Sequence, residues 1–185
     1  MWPFGRREKK TEERPDARKR FRDATRALER GERSEAIRVL SEVVEEDPEH
    51  FAARVNLGTA YYSEGEYVAA ARQFEAAREL QPENPKVLLN LAASRNQLDQ
   101  VEEAIDLLLE VLELDPQFRD VHHNLAIAYW RQGKLPQAMA ELEMELALHP
   151  DHEAAKQTAE RLRAEAGPVP GEESPRETGE PEDEA

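Results

Sequence analysis

Apolar residues recur along most of this chain at spacings of three and four, with charged residues between them. One stretch places its apolar side chains at Leu57, Tyr61, Ala70, Phe74 and Ala77. Such spacing puts side chains on one face of an α-helix, so the pattern predicts amphipathic helices. A Gly or Asp in a short polar turn separates the two apolar runs of a stretch. The pattern therefore predicts hairpins of two helices.

The apolar pattern repeats along the chain with a period of 34 residues. A proline closes each of four similar stretches, at Pro48, Pro82, Pro116 and Pro150. Inside three of them an Asn-Leu pair keeps the same period, beginning at Asn56, Asn90 and Asn124. This pattern resembles the tetratricopeptide repeat, a helix-turn-helix unit of that length. The resemblance implies an all-α fold, a right-handed α-solenoid (superhelix) of four repeats with a C-terminal capping helix.

The resemblance and the composition together divide the chain into four parts. Residues 1–15 are predicted to be a flexible basic leader, residues 16–150 the four repeats, residues 151–166 the capping helix and residues 167–185 a disordered acidic tail. The capping helix has a thin apolar stripe, as expected of a helix with one face on the last repeat and one in water. The tail has almost no apolar side chain to bury.

Charge and composition exclude several classes of function. The net charge of -15 argues against general nucleic-acid binding, which depends on excess Lys and Arg. The chain contains no cysteine, so it cannot form disulfides or a thiolate metal site. No apolar run is long enough to span a bilayer, so we expect no membrane partner and a cytoplasmic location. The charge is uneven, because residues 1–22 carry nine Lys/Arg against four Asp/Glu and residues 167–185 carry one against seven.

No motif in the sequence indicates catalysis, a cofactor or a metal. A nucleophile with its base and a glycine-rich phosphate loop are both missing. His149 and His152 follow one another across a turn, but two nitrogens without a third placed ligand make a poor zinc site. We interpret both as solvated loop histidines. The sequence therefore predicts a protein that is not an enzyme and needs no cofactor.

The resemblance implies that the first helices of the repeats line a concave groove. In similar proteins the recurring asparagines hold a peptide backbone there, since an amide side chain both donates and accepts. The alternatives are that these asparagines are only repeat consensus, and that part of the neighbouring apolar stripe packs against adjacent helices. We predict Trp130 as the main anchor, among charges of both signs. The predicted groove comprises Asn56, Asn90, Asn124, Val55, Thr59, Tyr62, Lys86, Leu89, Ala93, His123, Ile127 and Trp130.

Such a groove indicates a non-catalytic scaffold that holds an extended peptide or a helix of a partner protein. The alternative is a structural module that self-associates, end to end or through its own leader, where Trp2 and Phe4 lie beside basic residues. The sequence names no partner for either function. Truncating the leader separates the two, because only self-association through the leader depends on it.

Two residues depart from the repeat pattern. Glu145 stands where earlier repeats carry Ala77 and Val111, and Arg95 replaces the tyrosine that two other repeats carry. A fully buried carboxylate is costly. We therefore expect either a loose joint between the last repeat and the capping helix, or an ion pair between Glu145 and Arg161.

Overall fold

The computed structural model describes residues 15–166, which form nine α-helices and no strand. This confirms the all-α repeat solenoid. The predicted tail, and the predicted leader apart from Pro15, lie outside the described residues. The helices are α1 (Pro15–Glu29), α2 (Arg33–Glu46), α3 (Phe51–Ser63), α4 (Tyr67–Leu80), α5 (Pro85–Gln97), α6 (Val101–Leu114), α7 (Val121–Arg131), α8 (Leu135–Leu148) and α9 (Glu153–Ala166).

The two helices of each repeat are joined by a tight turn with a left-handed residue. Gly65 and Gly133 adopt φ values of 80° and 72°, and Asp99 takes the same place in the third repeat with φ 62°. Glycine reaches this region without a steric penalty, and aspartate tolerates it. These turns fold α4, α6 and α8 back onto α3, α5 and α7, as the sequence predicts.

Each helix packs against the next one along the chain, and the odd-numbered helices also contact one another. The contacts between odd-numbered helices join α1 to α3, α3 to α5 and α5 to α7. In a curved stack of repeats, the helices that contact their equivalents in the neighbouring repeats lie on the inside of the curve. We therefore call the exposed sides of α1, α3, α5, α7 and α9 the inner wall, and those of α2, α4, α6 and α8 the outer wall.

The interior of the stack matches small residues with large ones. Gly58 on α3 faces Phe74 on α4, and a Cβ atom added to Gly58 would lie 2.7 Å from Phe74 Cε1. Each of the other three repeats has an alanine and a leucine in the same register, which conserves volume across the pair. These pairs are Ala24 with Leu40, Ala92 with Leu108, and Ala126 with Leu142.

Helix α9 closes the C-terminal end of the interior. Its stripe of Ala155, Ala159 and Leu162 is buried and joins a cluster with Ala138 and Leu142 of α8. The charged residues of α9 cover its other side. Within residues 15–166, no helix combines the length and the apolar character needed to cross a membrane.

Candidate interaction surface

The predicted groove residues differ in how exposed they are on the inner wall. Val55 and Leu89 are only 9% exposed and belong to the central hydrophobic cluster. They support the alternative that part of the apolar stripe packs against adjacent helices. Thr59 and Lys86 are exposed, and the remaining predicted residues are half-buried. The accessible part of the wall is therefore narrower and more polar than the sequence predicts.

The three repeated asparagines have three different environments. Asn56 donates from Nδ2 to Thr25 Oγ1 of α1 at 3.4 Å, and Asn124 donates to the carbonyl of Asp120 at 2.8 Å. For Asn90, no hydrogen bond to the side-chain amide is found within residues 15–166. Asn56 and Asn124 thus have structural bonds of their own, whereas the Asn90 amide keeps both its donors and its acceptor.

Asn90 borders a small cavity on the inner wall between α3 and α5. The cavity has a volume of about 50 Å³ and is lined by Thr59, Tyr62, Phe74, Asn90 and Ala93. Burial raises the pKa of the Tyr62 phenol, against the opposing effect of its hydrogen bond to a glutamine side chain on α5. The hydroxyl is therefore neutral near pH 7. This part of the wall offers an amide and two hydroxyl groups around an apolar floor, with no charge on the lining residues.

Trp130 and His123 lie against α9. The indole nitrogen of Trp130 donates to Glu165 Oε2 at 3.1 Å, and the Arg161 guanidinium lies 4.5 Å from the centre of the ring. His123 Nε2 is 3.0 Å from the hydroxyl of Thr158. The charged groups that contact the indole are of both signs, and both come from the capping helix. The two residues link the last repeat to that helix.

The His123 imidazole is held neutral by its surroundings. Burial lowers its pKa, and the neighbouring His152, whose ring centre is 5.1 Å away, adds to that effect. The carboxylates of Glu145 and Asp120 oppose the shift but do not reverse it. A neutral His123 can form a hydrogen bond with Thr158 without placing a positive charge between α7 and α9.

Glu145 caps the first turn of α7 from the neighbouring helix. Its side chain is fully buried, and its two oxygens accept from the backbone N–H groups of Asp120 at 3.0 Å and His123 at 3.4 Å. A helix N-terminus favours a carboxylate because its free N–H groups carry partial positive charge. The predicted ion pair with Arg161 is wrong. The predicted loose joint is also wrong, since Ala155, Ala159 and Leu162 of α9 are buried against α8.

His152 is a buried helix cap, so our interpretation of it as a solvated loop residue is wrong. Its side chain is 7% exposed, and its Nδ1 accepts from the Ala155 N–H at 3.1 Å. Because Nδ1 accepts, the neutral ring carries its proton on Nε2. That nitrogen lies 2.5 Å from Asp120 Oδ1 and 3.6 Å from Glu145 Oε1.

Asp120, Glu145 and His152 together resemble a metal site, because their ligand atoms lie within 4.8 Å of one another. The hydrogen bonds argue against one. A histidine that binds a metal almost always donates its other ring N–H, whereas His152 Nδ1 accepts. Two tetrahedral ligands of a zinc ion would lie about 3.3 Å apart, well beyond the 2.5 Å between Nε2 and Oδ1. We interpret the cluster as a hydrogen-bonded joint.

Arg95 lines an open groove between α4 and α6. In place of the usual tyrosine, its guanidinium forms ion pairs with Glu75 and with Glu103, the latter at 3.3 Å. The groove has a volume of about 620 Å³. Its basic groups, Arg78 among them, are paired with acidic neighbours, so we assign it no ligand.

Comparisons with known proteins agree with this architecture. Two family models described as "Tetratricopeptide repeat" match the chain, one over residues 21–85 and the other over residues 61–122 and 97–162. The chain is 30% identical over 125 residues to the TPR repeat-containing protein YpiA of Bacillus subtilis (strain 168), covering 68% of this chain and 30% of that protein. It is 34% identical over 85 residues to the TPR repeat-containing thioredoxin TTL4 of Arabidopsis thaliana, covering 46% of this chain and 12% of that protein.

A solved structure extends the comparison to the fold. The structure of MamA (residues 41 to the end) from Desulfovibrio magneticus RS-1 superposes with a TM-score of 0.72 at 20% identity, covering 83% of this chain and 86% of that one. At this identity the likeness shows the fold alone. The chain spans less than a third of the length of the two sequence relatives.

Proposed function

Because the chain belongs to the tetratricopeptide repeat family, we propose that its protein-interaction scaffold holds an extended peptide or a helix of a partner against the inner wall. The observation that carries the proposal is the Asn90 amide, which has no hydrogen-bond partner within residues 15–166 and lies beside the α3–α5 cavity. An amide that both donates and accepts matches a peptide unit without selecting its side chain.

The centre of the proposed contact is the wall of α3 and α5. Thr59 and Lys86 are exposed there, and Tyr62 and Ala93 border the cavity. Ile127 of α7, which is half-buried, extends this surface toward the C-terminal end. His123 and Trp130 contribute less than the sequence predicts, because their polar atoms are bonded to α9.

We further propose that this chain itself is not an enzyme. The name of one relative, TTL4, describes a thioredoxin, but the match covers only 12% of that protein. Dithiol exchange requires cysteines, and this sequence contains none. The buried side chains of Glu145 and His152 cap helices. A cytoplasmic location remains a prediction.

Capture from the native lysate tests the proposed surface with a matched pair of variants. Asn90→Ala removes the unbonded amide on the inner wall, and Gln137→Ala removes an exposed amide on α8 of the outer wall. We expect Asn90→Ala to lose partners that both the wild type and Gln137→Ala retain. Equal capture by all three proteins would refute the role of Asn90. The variants Asn56→Ala and Asn124→Ala are less suitable, because each also removes a structural hydrogen bond.

Self-association is the rival explanation for any binding by this chain. Its proposed contact, the leader with Trp2 and Phe4, lies outside the described residues. Sedimentation velocity of the full chain and of a variant lacking residues 1–15 tests for self-association, because larger species that persist without the leader would indicate association end to end. A leader-dependent shift to larger species would favour self-association over capture of another protein.

A further inference from the structure

We propose that the acidic segment 167–185 docks along the inner wall of its own chain, and that the wall therefore fits an extended acidic peptide. This inference rests on the proposed function, since both use the inner wall. Four observations carry it: where the described chain ends, the charge of the inner wall, the charge of the outer wall and the length of the segment.

The described chain ends beside the inner wall. Helix α9 ends at Ala166, and the carboxylate of the preceding residue, Glu165, accepts a hydrogen bond from Trp130 of α7 at 3.1 Å. The last described residue therefore lies next to the C-terminal end of the wall. The chain needs no detour around the solenoid to reach the surfaces of α7 and α5.

The inner wall carries cations that are available for an acidic ligand. Arg22 on α1 lies in the register of the repeated asparagines, and Lys86 lies at the start of α5; both are exposed and have no ion pair within residues 15–166. Arg131 on α7 is held loosely, by a hydrogen bond to Gln97 Oε1 at 3.4 Å and by Asp99 at 3.6 Å. Three positive groups thus lie on three of the helices that form the wall, α1, α5 and α7.

The acidic groups of the inner wall are fewer or already bonded. Asp120 is bonded to His152, and Glu165 to Trp130 and Arg161. Glu29 at the end of α1 and Glu160 on α9 are exposed and have no ion pair within residues 15–166. The exposed positive groups therefore exceed the unbonded negative ones on this face.

The outer wall has the opposite charge. Helix α6 carries five acidic residues and no basic one: Glu102, Glu103, Asp106, Glu110 and Glu113. With seven acidic residues against one arginine, segment 167–185 is repelled by this surface and attracted by the inner wall. Charge complementarity of this kind selects the face on which a charged segment binds.

The segment is long enough to follow the wall. It contains 19 residues, of which four are prolines, and an extended chain of the polyproline type rises about 3.1 Å per residue, giving roughly 59 Å. Four steps between packed helices of about 8–10 Å each separate α9 from α1, roughly 32–40 Å in all. Both Lys86 and Arg22 lie within this reach.

Because the acidic segment is attached to the solenoid, a weak contact is enough for it to dock on the inner wall. A short flexible linker raises the effective concentration of the attached segment to about the millimolar range, so a few screened ion pairs can hold it for part of the time. The segment would then compete with an acidic partner peptide for the same wall. Because exposed pairs are screened over about 8 Å at physiological salt, the contact should weaken as salt is added.

A nitroxide label on the full-length chain tests the contact directly. The natural sequence has no cysteine, so Thr178→Cys provides a single attachment site within the segment. We expect loss of amide NMR intensity on α1, α3 and α5, none on α6, and recovery in 1 M salt, where the screening length falls to about 3 Å. The loss should not depend on protein concentration. Absence of any loss, loss on the outer wall, or loss only at high concentration would each overturn the proposal.

Two charge-reversal variants of the labelled protein provide the control. Arg22→Glu combined with Lys86→Glu should restore the inner-wall signals, whereas Arg72→Glu, an exposed change on α4, should leave the loss in place. Equal behaviour of the two variants would contradict docking by charge. If the label reports no contact while Asn90→Ala still loses partners in the capture experiment, this inference fails and the proposed function stands.

Discussion

Replacing Glu145 with valine separates two explanations of the joint between the last repeat and α9. One repeat earlier the same position holds Val111, so the variant restores the repeat pattern and, on that pattern alone, should stabilise the protein. The structure predicts the opposite. Valine offers no acceptor to the N–H groups of Asp120 and His123, and water cannot readily take its place because the site is fully buried.

The size of the effect follows from the bonds that are lost. A hydrogen bond to a charged group contributes about 1.5–3 kcal/mol to the free energy of unfolding. The bond to His123 is long, at 3.4 Å, so we count it at the low end. The valine also avoids the cost of burying a carboxylate, which offsets part of the loss. We expect a net destabilisation of about 2–3 kcal/mol, which corresponds to roughly 5–10 °C in Tm for a domain of this size.

Urea and thermal unfolding followed by circular dichroism measure the change. Glu143→Val is the matched control, because it makes the same substitution at an exposed position of the same helix and should stay within about 0.5–1 kcal/mol of the wild type. Glu145→Gln keeps one oxygen acceptor and should lie between the wild type and Glu145→Val. An unchanged or higher Tm for Glu145→Val would refute the capping role of Glu145.

Three further predictions concern packing, pH and the capping helix. Gly58→Ala should cost about 1–3 kcal/mol because Phe74 must move, and adding Phe74→Leu should recover most of that loss in urea unfolding; no recovery would exclude the steric explanation. Because the pKa of His123 is lowered on folding, the unfolded chain binds its proton first, so stability should fall as the pH drops below about 6.5; if the pH dependence of Tm is equally steep in His123→Asn, the prediction is wrong. Leu125→Ala should cost about 2–5 kcal/mol, whereas Trp130→Ala should cost less and raise amide exchange mainly in α9; equal losses would place Trp130 in the core.

The repeat architecture can be predicted from sequence because each unit contacts mainly its neighbours. Leu57, Leu91 and Leu125 have the same register and are all at most 2% exposed. The periodic pattern therefore predicts both the helices and the buried residues between them. The left-handed turns are equally local, since one residue such as Gly65 determines the backbone there.

The inner wall is less predictable because its exposure depends on which helices lie beside it. The spacing of Val55 and Leu89 places them next to the core stripe, but the distance between adjacent odd-numbered helices decides that both are buried. Trp130 is similar, because its contacts lie on α9, which is outside the repeat pattern. Periodicity predicts which face of a helix is apolar, but it does not predict which neighbouring residues cover that face.

The register also shows why Glu145 departs from the repeat. His50, Asn84 and His152 occupy one register and cap α3, α5 and α9 through a side-chain acceptor. The fourth residue in that register is Phe118, which has no acceptor and packs against the central cluster instead.

Helix α7 shows the effect of the missing cap. It begins at Val121 and has 11 residues, whereas α3 and α5 have 13 each, so its start is delayed by two positions of the register. Asp120 at this start adopts φ 73° and does not cap with its own side chain. Glu145 supplies the acceptor from α8. The apolar residue at 118 and the carboxylate at 145 are therefore one compensated change: the first removes the cap of α7, and the second replaces it.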